Sequence, residues 1–323
     1  MYGIFIKRFF LFYIMILLLI LGFTLSIDPY NKLGINLFNI EYKLTRDDRG
    51  FKIGQINSMK QIDNLIIGSS RSQTLNPKIL SETLGGTSYN FGVGGGKIED
   101  ALGLLLYLEK EQKLPKNILL CLDFNAFNAN NKLHTKFLSS KELNFLNKHV
   151  NGFEFAHFLS IDTIRSSVKT LKNHLKNKKP IHYFNEFGLI VGPDEISDER
   201  KIKQVADSYF QTEYSNGEYS IDIRRLKWYQ QFIEITEENN INLKVILTPI
   251  YEYQYKMIQN NIELSEQYNL LLQQLKKKYP LDNLMEIEKY RSNLNYFADS
   301  VHYKGELGDI ILKEIYLTNK EVN

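Results

Sequence analysis

With 323 residues, 43% of them hydrophobic and 13% aromatic, the chain can bury a large core, which excludes a disordered protein. A formal net charge of +3 is small for this length and gives no support to nucleic-acid binding. The single cysteine, Cys121, excludes an intramolecular disulfide and lies in an apolar run where a buried thiol is expected.

The N-terminal region predicts a membrane anchor. Phe9–Ile27 is a run of nineteen uncharged residues, about the length of a helix that crosses a bilayer core. Lys7 and Arg8 precede the run and Asp28 follows it, so the positive-inside rule places the tail 1–8 in the cytoplasm and the rest outside. A cleaved signal peptide is the alternative, disfavoured by the length of the run and the lack of an A-x-A-like site; either way the folded body is extracytoplasmic.

After a predicted linker at 28–60, short apolar runs that predict strands alternate with segments whose apolar spacing predicts helices. In chain order these are strand Ile62–Ile67, helix Asn76–Leu84, strand Thr87–Phe91, helix Ile98–Glu111, strand Asn117–Leu122, helix Arg224–Glu238, strand Leu243–Thr248, helix Tyr255–Lys277, strand Leu284–Ile287 and helix Gly305–Tyr316. This order implies right-handed crossovers and an α/β fold, with a mainly parallel sheet covered by helices on both faces. Active residues in such sheets gather at the carboxyl ends of the strands.

A long segment, 128–223, interrupts the alternation between the third and fourth strands. It is rich in Lys, Asn and aromatic residues, and it is too long for a loop without secondary structure. We therefore expect a mostly helical insertion, with the α/β domain composed of 61–127 and 224–323.

The loop after the first predicted strand is GSSRS, Gly68–Ser72. A serine at a strand end can expose its hydroxyl as a nucleophile, and its backbone amide can join an oxyanion hole. The loop is not the G-x-S-x-G nucleophile elbow, because Ser72 occupies the place of the second glycine. An ordinary Gly-Ser turn is the alternative interpretation.

The loop after the second predicted strand is NFGVGGG, Asn90–Gly96. Its glycines would let backbone amides approach an anion or an oxyanion closely. A Walker A loop is excluded by Phe91 and Ile98, and a dinucleotide-binding fingerprint is excluded by Lys97. A flexible strand-to-helix turn is the other interpretation.

Near the C-terminus the sequence DSVH, Asp299–His302, brings a carboxylate and an imidazole three residues apart. In a turn or at a helix start, these two side chains can form the orienting pair that a serine nucleophile needs. The other five histidines fall in the insertion, and no spacing suggests a metal site, so neither metal nor cofactor is predicted.

Together the three loops resemble the SGNH/GDSL hydrolase superfamily. The resemblance covers about residues 60–318 without the insertion and implies a three-layer, flavodoxin-like α/β/α sandwich. It also implies that Ser70 is the nucleophile, that His302 and Asp299 complete the catalytic set, and that the amides of Ser70 and Gly95 belong to the oxyanion hole.

The family's oxyanion asparagine has no matching Gly-x-Asn-Asp motif in this chain. The corresponding stretch is LDFNAFN after the third strand, where Asn125 is the nearest match. Asp123 and Asn128 are the alternatives for this role.

A narrower resemblance concerns membrane-anchored SGNH-like proteins of bacterial envelopes, such as the D-alanyl transfer protein of teichoic acid synthesis and the alginate O-acetylation proteins. The matching features are the anchor, the DPY sequence after it, the GSSR loop, and Thr248-Pro249 at a strand end. This resemblance implies a polysaccharide substrate and a multi-pass membrane O-acyltransferase as partner.

The sequence therefore predicts a membrane-anchored, extracytoplasmic serine acyltransferase or esterase that acts on O-acyl groups of an envelope or secreted polysaccharide. The alternative is a non-catalytic SGNH-like scaffold that binds glycan or the membrane partner. A membrane-coupled sensor is disfavoured, because the predicted cytoplasmic tail leaves no room for an output domain.

Overall fold

The computed structural model describes residues 2–29, 37–40, 48–138, 140–146, 158–177, 182–193 and 197–317. The chain divides into two compact units, one comprising Met1–Ser58 and Lys148–Tyr183, the other Met59–Asn147 and Phe184–Asn323. The units divide the predicted insertion between them. That 128–223 is an insertion into the α/β domain stays a prediction.

Helices and strands alternate through much of the chain. The helices are α1 (Tyr2–Ile27), α2 (Asp48–Ser58), α3 (Pro77–Leu84), α4 (Ile98–Lys110), α5 (Thr135–Leu138), α6 (Ile161–Leu175), α7 (Glu199–Thr212), α8 (Ile223–Glu238), α9 (Glu252–Asn260), α10 (Ile262–Lys278), α11 (Glu288–Arg291) and α12 (Gly305–Leu317). The strands are β1 (Asn64–Gly68), β2 (Ser88–Gly92), β3 (Asn117–Leu122), β4 (Tyr183–Phe184), β5 (Ile190–Val191), β6 (Asn242–Leu247) and β7 (Asp282–Asn283).

The second unit contains a five-stranded sheet in the order β2-β1-β3-β6-β7, and every neighbouring pair in it is parallel. The predicted α/β fold with a mainly parallel sheet is thus confirmed. Strands from both sides of 128–223 belong to this one sheet, whereas β4 and β5 form a separate two-stranded sheet.

Apolar residues are buried on both faces of the parallel sheet. Ile66, Leu119 and Ile246 share a core cluster with residues of α3 and α12. Their neighbours along the strands, such as Ile67 and Leu120, are also buried and point to the opposite face, since side chains alternate along a strand. Strands buried on both faces explain the continuous apolar runs in the sequence.

The first unit contains α1, the one helix among the described residues that is long and apolar enough to cross a membrane. It begins at Tyr2, so the predicted tail 1–8 is helical from that residue. Phe9, Leu11 and Leu19 have more than half of their surface exposed, as expected for side chains that lipid would cover. Near its end, where Thr24 and Ile27 are buried, the helix is no longer exposed all round.

Two predicted elements differ in the structure. The predicted helix Tyr255–Lys277 is two helices, because Asn261 takes an extended backbone conformation and its side chain accepts a hydrogen bond from the Leu264 N–H as an N-cap. The predicted strand Leu284–Ile287 is wrong in position. The strand is β7, two residues earlier, and the buried Leu284 that suggested a strand lies in the turn after it.

A buried ion pair joins helices α4 and α8, and its arginine also binds the start of the predicted insertion. Arg225 of α8 and Glu99 of α4 are both fully buried and joined by two hydrogen bonds of 3.2 Å. Two further guanidinium protons go to the carbonyl oxygens of Asn128 and Asn131, each at 2.7 Å. These contacts satisfy the buried charge and fix the chain that leaves β3.

We expect Arg225→Met to lower the free energy of unfolding by about 3–5 kcal/mol, because it leaves the Glu99 carboxylate buried without a partner. The double variant Glu99→Leu/Arg225→Met should be less destabilised than that single variant. Urea unfolding of the full-length protein in detergent measures both.

The control is Lys78→Ala, which removes an exposed pair with Glu82 at 3.7 Å. Such a pair contributes less than about 0.5 kcal/mol. Equal losses in the Arg225 and Lys78 variants would contradict this assignment.

Candidate active site

The predicted nucleophile begins a short 3₁₀ turn that follows β1 directly. Ser69 caps this turn, Ser70–Thr74, by accepting a hydrogen bond from the Arg71 N–H at 3.2 Å. Ser69 is buried and Ser70 is half-buried. The turn therefore gives the two adjacent serines different roles, with the Ser69 hydroxyl used inside the backbone turn and the Ser70 hydroxyl left to face another side chain.

Asn90 of β2 holds the serine turn against the sheet. Its side-chain nitrogen donates to the carbonyl oxygens of Ser72 and Leu75, both at 2.7 Å, and its oxygen accepts from the Gly92 N–H at 2.7 Å. The Ser72 hydroxyl lies so close to Gly92 that a Cβ there would come within 2.5 Å of it. Glycine at position 92 is thus required by the close approach of this turn.

The DSVH segment folds into a tight turn around the Asp299 carboxylate. Oδ1 of Asp299 accepts hydrogen bonds from the backbone N–H groups of Val301 at 2.9 Å and of His302 at 2.8 Å. Oδ2 of the same carboxylate lies 2.8 Å from Nδ1 of His302. Three residues of spacing thus suffice for one carboxylate to hold both the backbone and the ring of His302.

The side chains of Ser70 and His302 are in contact, although they lie 232 positions apart in the sequence. Oγ of Ser70 lies 2.8 Å from Nε2 of His302. An ionised carboxylate only accepts hydrogen bonds, so Asp299 requires the imidazole proton to be on Nδ1. Nε2 then carries the lone pair, accepts the Ser70 O–H, and can take its proton.

The carboxylate remains charged across the physiological range. Burial raises the pKa of Asp299, but hydrogen bonds and charge from the His302 imidazole, with the N–H groups of Val301 and His302, lower that pKa to about 2. The His302 side chain is 33% exposed and that of Asp299 15%. The imidazole is thus accessible, while its orienting group is largely covered.

Ser70 and Gly95 were predicted to supply oxyanion amides. Among the described residues, neither backbone N–H has a hydrogen-bond partner. The glycine loop lies against the serine turn, since the Val93 N–H donates to the Gly68 carbonyl at 3.0 Å. Gly95 has φ +60, and a Cβ on it would lie 2.9 Å from the His134 ring. Their role in an oxyanion hole stays a prediction.

Asn125, the third predicted oxyanion residue, is engaged in hydrogen bonds on both sides of its amide. Its oxygen accepts from Arg71 at 3.0 Å, and its nitrogen donates to Glu213 at 3.1 Å. Of the two alternatives, Asp123 accepts a short hydrogen bond from the Thr248 hydroxyl, and Asn128 donates to the Glu213 carbonyl at 2.8 Å. All three side chains thus contribute to one polar network, and the oxyanion role of Asn125 stays a prediction.

Arg71, which sequence reasoning did not single out, lies at the centre of this network. It is 2% exposed, and its Nη1 lies 3.4 Å from Asp123 in an ion pair without hydrogen-bond geometry. Burial opposes the charged form, but the Asp123 carboxylate raises the pKa of the Arg71 guanidinium above its ordinary value. The side chain therefore stays cationic directly beside Ser70.

Two residues of the predicted insertion also reach this region. Glu213 follows α7 and binds Asn125, and its Oε2 accepts from Asn131 at 2.9 Å as well. The ring of Tyr209 lies 5.9 Å from the Arg71 guanidinium. Burial raises the pKa of the Tyr209 hydroxyl. Nothing in the sequence around 209–213 indicated this proximity.

In the part of the chain that the structure describes, no group of three or more histidine, cysteine or carboxylate side chains is arranged to hold a metal ion. Cys121 is buried, and burial raises the pKa of its thiol well above the ordinary value. It is therefore not a nucleophile at neutral pH.

No family model and no curated protein matches this chain. It is similar to solved structures at low identity. One is a protein from Bacteroides fragilis provisionally described as an acylhydrolase, with 11% identity, a TM-score of 0.37, and coverage of 88% of this chain and all of that one. Another, from Streptococcus pneumoniae, is provisionally described as a platelet activating factor, with 12% identity, a TM-score of 0.37, and coverage of 84% and 90%.

The depressed pKa of Asp299 predicts a pH-dependent contribution to stability. A carboxyl whose pKa is about 2 in the folded protein and 3.8 otherwise stabilises the fold above pH 4 by about 2 kcal/mol. That contribution is lost as the pH falls from about 4 to 2. Asp299→Asn should therefore be less stable than the unaltered protein at pH 7, and the difference should vanish near pH 2.

Urea unfolding at a series of pH values measures this difference, with Asp207→Asn as the control for an exposed carboxylate on α7. A difference between Asp299→Asn and the unaltered protein that persists undiminished at pH 2 would contradict the role of the His302 contact.

Proposed function

We propose that this protein is a membrane-anchored serine esterase or O-acyltransferase that acts on O-acyl groups of a polysaccharide outside the cytoplasm. The observation that carries the proposal is the pair of 2.8 Å contacts that joins Ser70, His302 and Asp299. The apolar helix α1 supports the anchor. The polysaccharide and the membrane O-acyltransferase partner come from the resemblance to envelope proteins.

The first half of the reaction forms an acyl-enzyme. Oγ of Ser70 attacks the acyl carbonyl while Nε2 of His302 takes the hydroxyl proton, and the negative charge moves to the carbonyl oxygen. The amides of Ser70 and Gly95 would stabilise that oxyanion. The C–O bond to the sugar then breaks, and the sugar oxygen leaves with the proton from His302.

The second half regenerates Ser70. His302 takes a proton from the incoming hydroxyl, whose oxygen attacks the acyl carbonyl, and the proton passes to Oγ of Ser70 as the acyl bond breaks. Water as the attacking group gives hydrolysis, and a glycan hydroxyl gives transfer. Asp299 acts throughout by keeping the imidazole in the tautomer with the proton on Nδ1.

Ser70→Ala should abolish labelling by a fluorophosphonate probe and lower the turnover of an acyl ester by at least about a thousandfold, because it removes the nucleophile. Gel fluorescence and ester hydrolysis measure these effects.

Ser69→Ala is the matched control. It removes the adjacent hydroxyl, which caps the turn, so it should lower stability by about 1 kcal/mol and retain labelling. Equal labelling of Ser70→Ala and the unaltered protein would assign the nucleophile to another residue, and no labelling of the unaltered protein would favour the non-catalytic scaffold.

The proposed location predicts that a reporter fused after Asn323 is active only outside the cytoplasm. Lys7 and Arg8, which precede the uncharged run Phe9–Ile27, set this orientation. Paired alkaline phosphatase and green fluorescent protein fusions distinguish the two sides. Fluorescence with no phosphatase activity would overturn the topology and, with it, the access to an external glycan.

A further inference from the structure

A cleft separate from the Ser–His–Asp group opens between the first turns of α7 and α9. It encloses about 200 Å³. Its polar and aromatic lining residues come from two segments. Glu199 and Lys203 belong to α7, and the start of α9 contributes Tyr251, Glu252, Tyr253 and Lys256.

The floor of the cleft is attached to the turn that carries His302. The Tyr251 N–H donates to the Ser300 carbonyl at 2.9 Å, and Ser300 lies between Asp299 and His302. The Tyr251 ring packs against the Phe297 ring at 5.5 Å. A ligand that contacts Tyr251 therefore contacts a residue that is hydrogen-bonded to the loop carrying His302.

Helix α7, which forms one wall of the cleft, extends towards the turn that contains Ser70. Helix α7 carries Lys203 in the cleft and Tyr209 beside Arg71, the residue after Ser70. The two positions are six residues apart in the sequence, which corresponds to a rise of about 9 Å along the helix axis. That separation suits a ligand that extends from the cleft to the serine.

The charges of the cleft cancel. Glu199 pairs with Lys203 at 3.0 Å, and Glu252 pairs with Lys256 at 3.2 Å. The two carboxylates and two ammonium groups of the lining balance, while Glu252 also pairs with Arg291 of α11 outside the lining. A neutral ligand with many hydrogen-bonding groups fits such a lining.

The two tyrosines of the cleft favour a ligand with a flat apolar face. Tyr251 and Tyr253 are both half-buried, and Nζ of the lining residue Lys203 lies 6.0 Å from the centre of the Tyr253 ring. Each tyrosine combines an apolar ring with a hydroxyl. The lining includes one aliphatic side chain, Ile202, which is fully buried, so the apolar surface that the cleft exposes comes from other side chains, the two tyrosines among them. A sugar ring, with an apolar face and a hydroxylated edge, matches both features.

We propose that this cleft is the subsite for a neutral sugar unit of the glycan, next to the unit whose ester reaches Ser70. The inference rests on the proposed function for its substrate class. Tyr253 is the side chain that supplies the ring surface, and the two ion pairs supply hydrogen bonds to hydroxyl groups.

The test uses the full-length Ser70→Ala protein, in a detergent without a sugar headgroup, so that binding is measured without turnover. The probes are neutral tetrasaccharides of glucose, xylose and N-acetylglucosamine, an acidic tetrasaccharide of uronic acids, and a dodecanoyl ester. Calorimetric titration should show binding of a neutral tetrasaccharide that Tyr253→Ala weakens about tenfold and Tyr253→Phe retains.

Tyr107→Ala is the control, because this half-buried tyrosine lies near the end of α4 and outside the cleft. It should leave the titration unchanged. The inference is overturned if no neutral tetrasaccharide binds, if Tyr253→Ala binds as tightly as its parent, or if the uronic acid or dodecanoyl probe binds more tightly. Because the nucleophile is absent in these titrations, sugar binding that depends on Tyr253 supports the cleft even if the unaltered protein proves to have no ester turnover.

Discussion

The carboxyl edge of the parallel sheet is organised around one buried cation, Arg71. A guanidinium taken out of water must be paired and hydrogen-bonded, or its desolvation would outweigh the gain from burial. After β3, Asp123 supplies the opposite charge and Asn125 accepts a hydrogen bond, and Thr248 after β6 donates to Asp123 in turn. The ends of β3 and β6 are thus connected to the residue that follows Ser70, which anchors the serine turn to the sheet.

The Ser–His contact depends on a second constraint, the topology of the sheet. Ser70 follows β1 near the middle of the sheet, whereas His302 comes after β7 and immediately before α12. Helix α12 packs against α3, the helix that follows the serine turn, and Thr74 Oγ1 donates to the Tyr303 carbonyl at 3.4 Å. Neighbouring helices on one face of the sheet therefore bring the two ends of this domain together, and the 2.8 Å contact follows from that packing.

The parts of the fold that depend on local sequence could be predicted. The strand Asn117–Leu122 agrees with its prediction, because an apolar run acts over a few residues. The predicted helix Asn76–Leu84 is present and begins at Pro77, with Asn76 as its N-cap. The pairing of Asp299 with His302 is local in the same sense. The Ser70–His302 contact was expected through the family resemblance, since no local pattern relates positions 232 residues apart.

The remainder of the site depends on contacts that no sequence pattern records. Glu213 reaches Asn125 across 88 residues of chain, and its surroundings in the sequence are ordinary for an exposed helix. Arg71 was visible within GSSRS, but its burial depends on the strand ends that surround it. The break at Asn261 was missed because an asparagine within an apolar periodicity is compatible with one helix or with two.

The claim on which the functional account depends is that Oγ of Ser70 forms a bond to the acyl group. The most direct measurement is mass spectrometry of the full-length protein after rapid acid quenching of its reaction with an activated acetyl ester. The account predicts an added acetyl group on the peptide that contains residue 70, mapped to Ser70 and lost on incubation at neutral pH. An acetyl group mapped only to lysine or tyrosine side chains, with Ser70 unmodified at every reaction time, would contradict it.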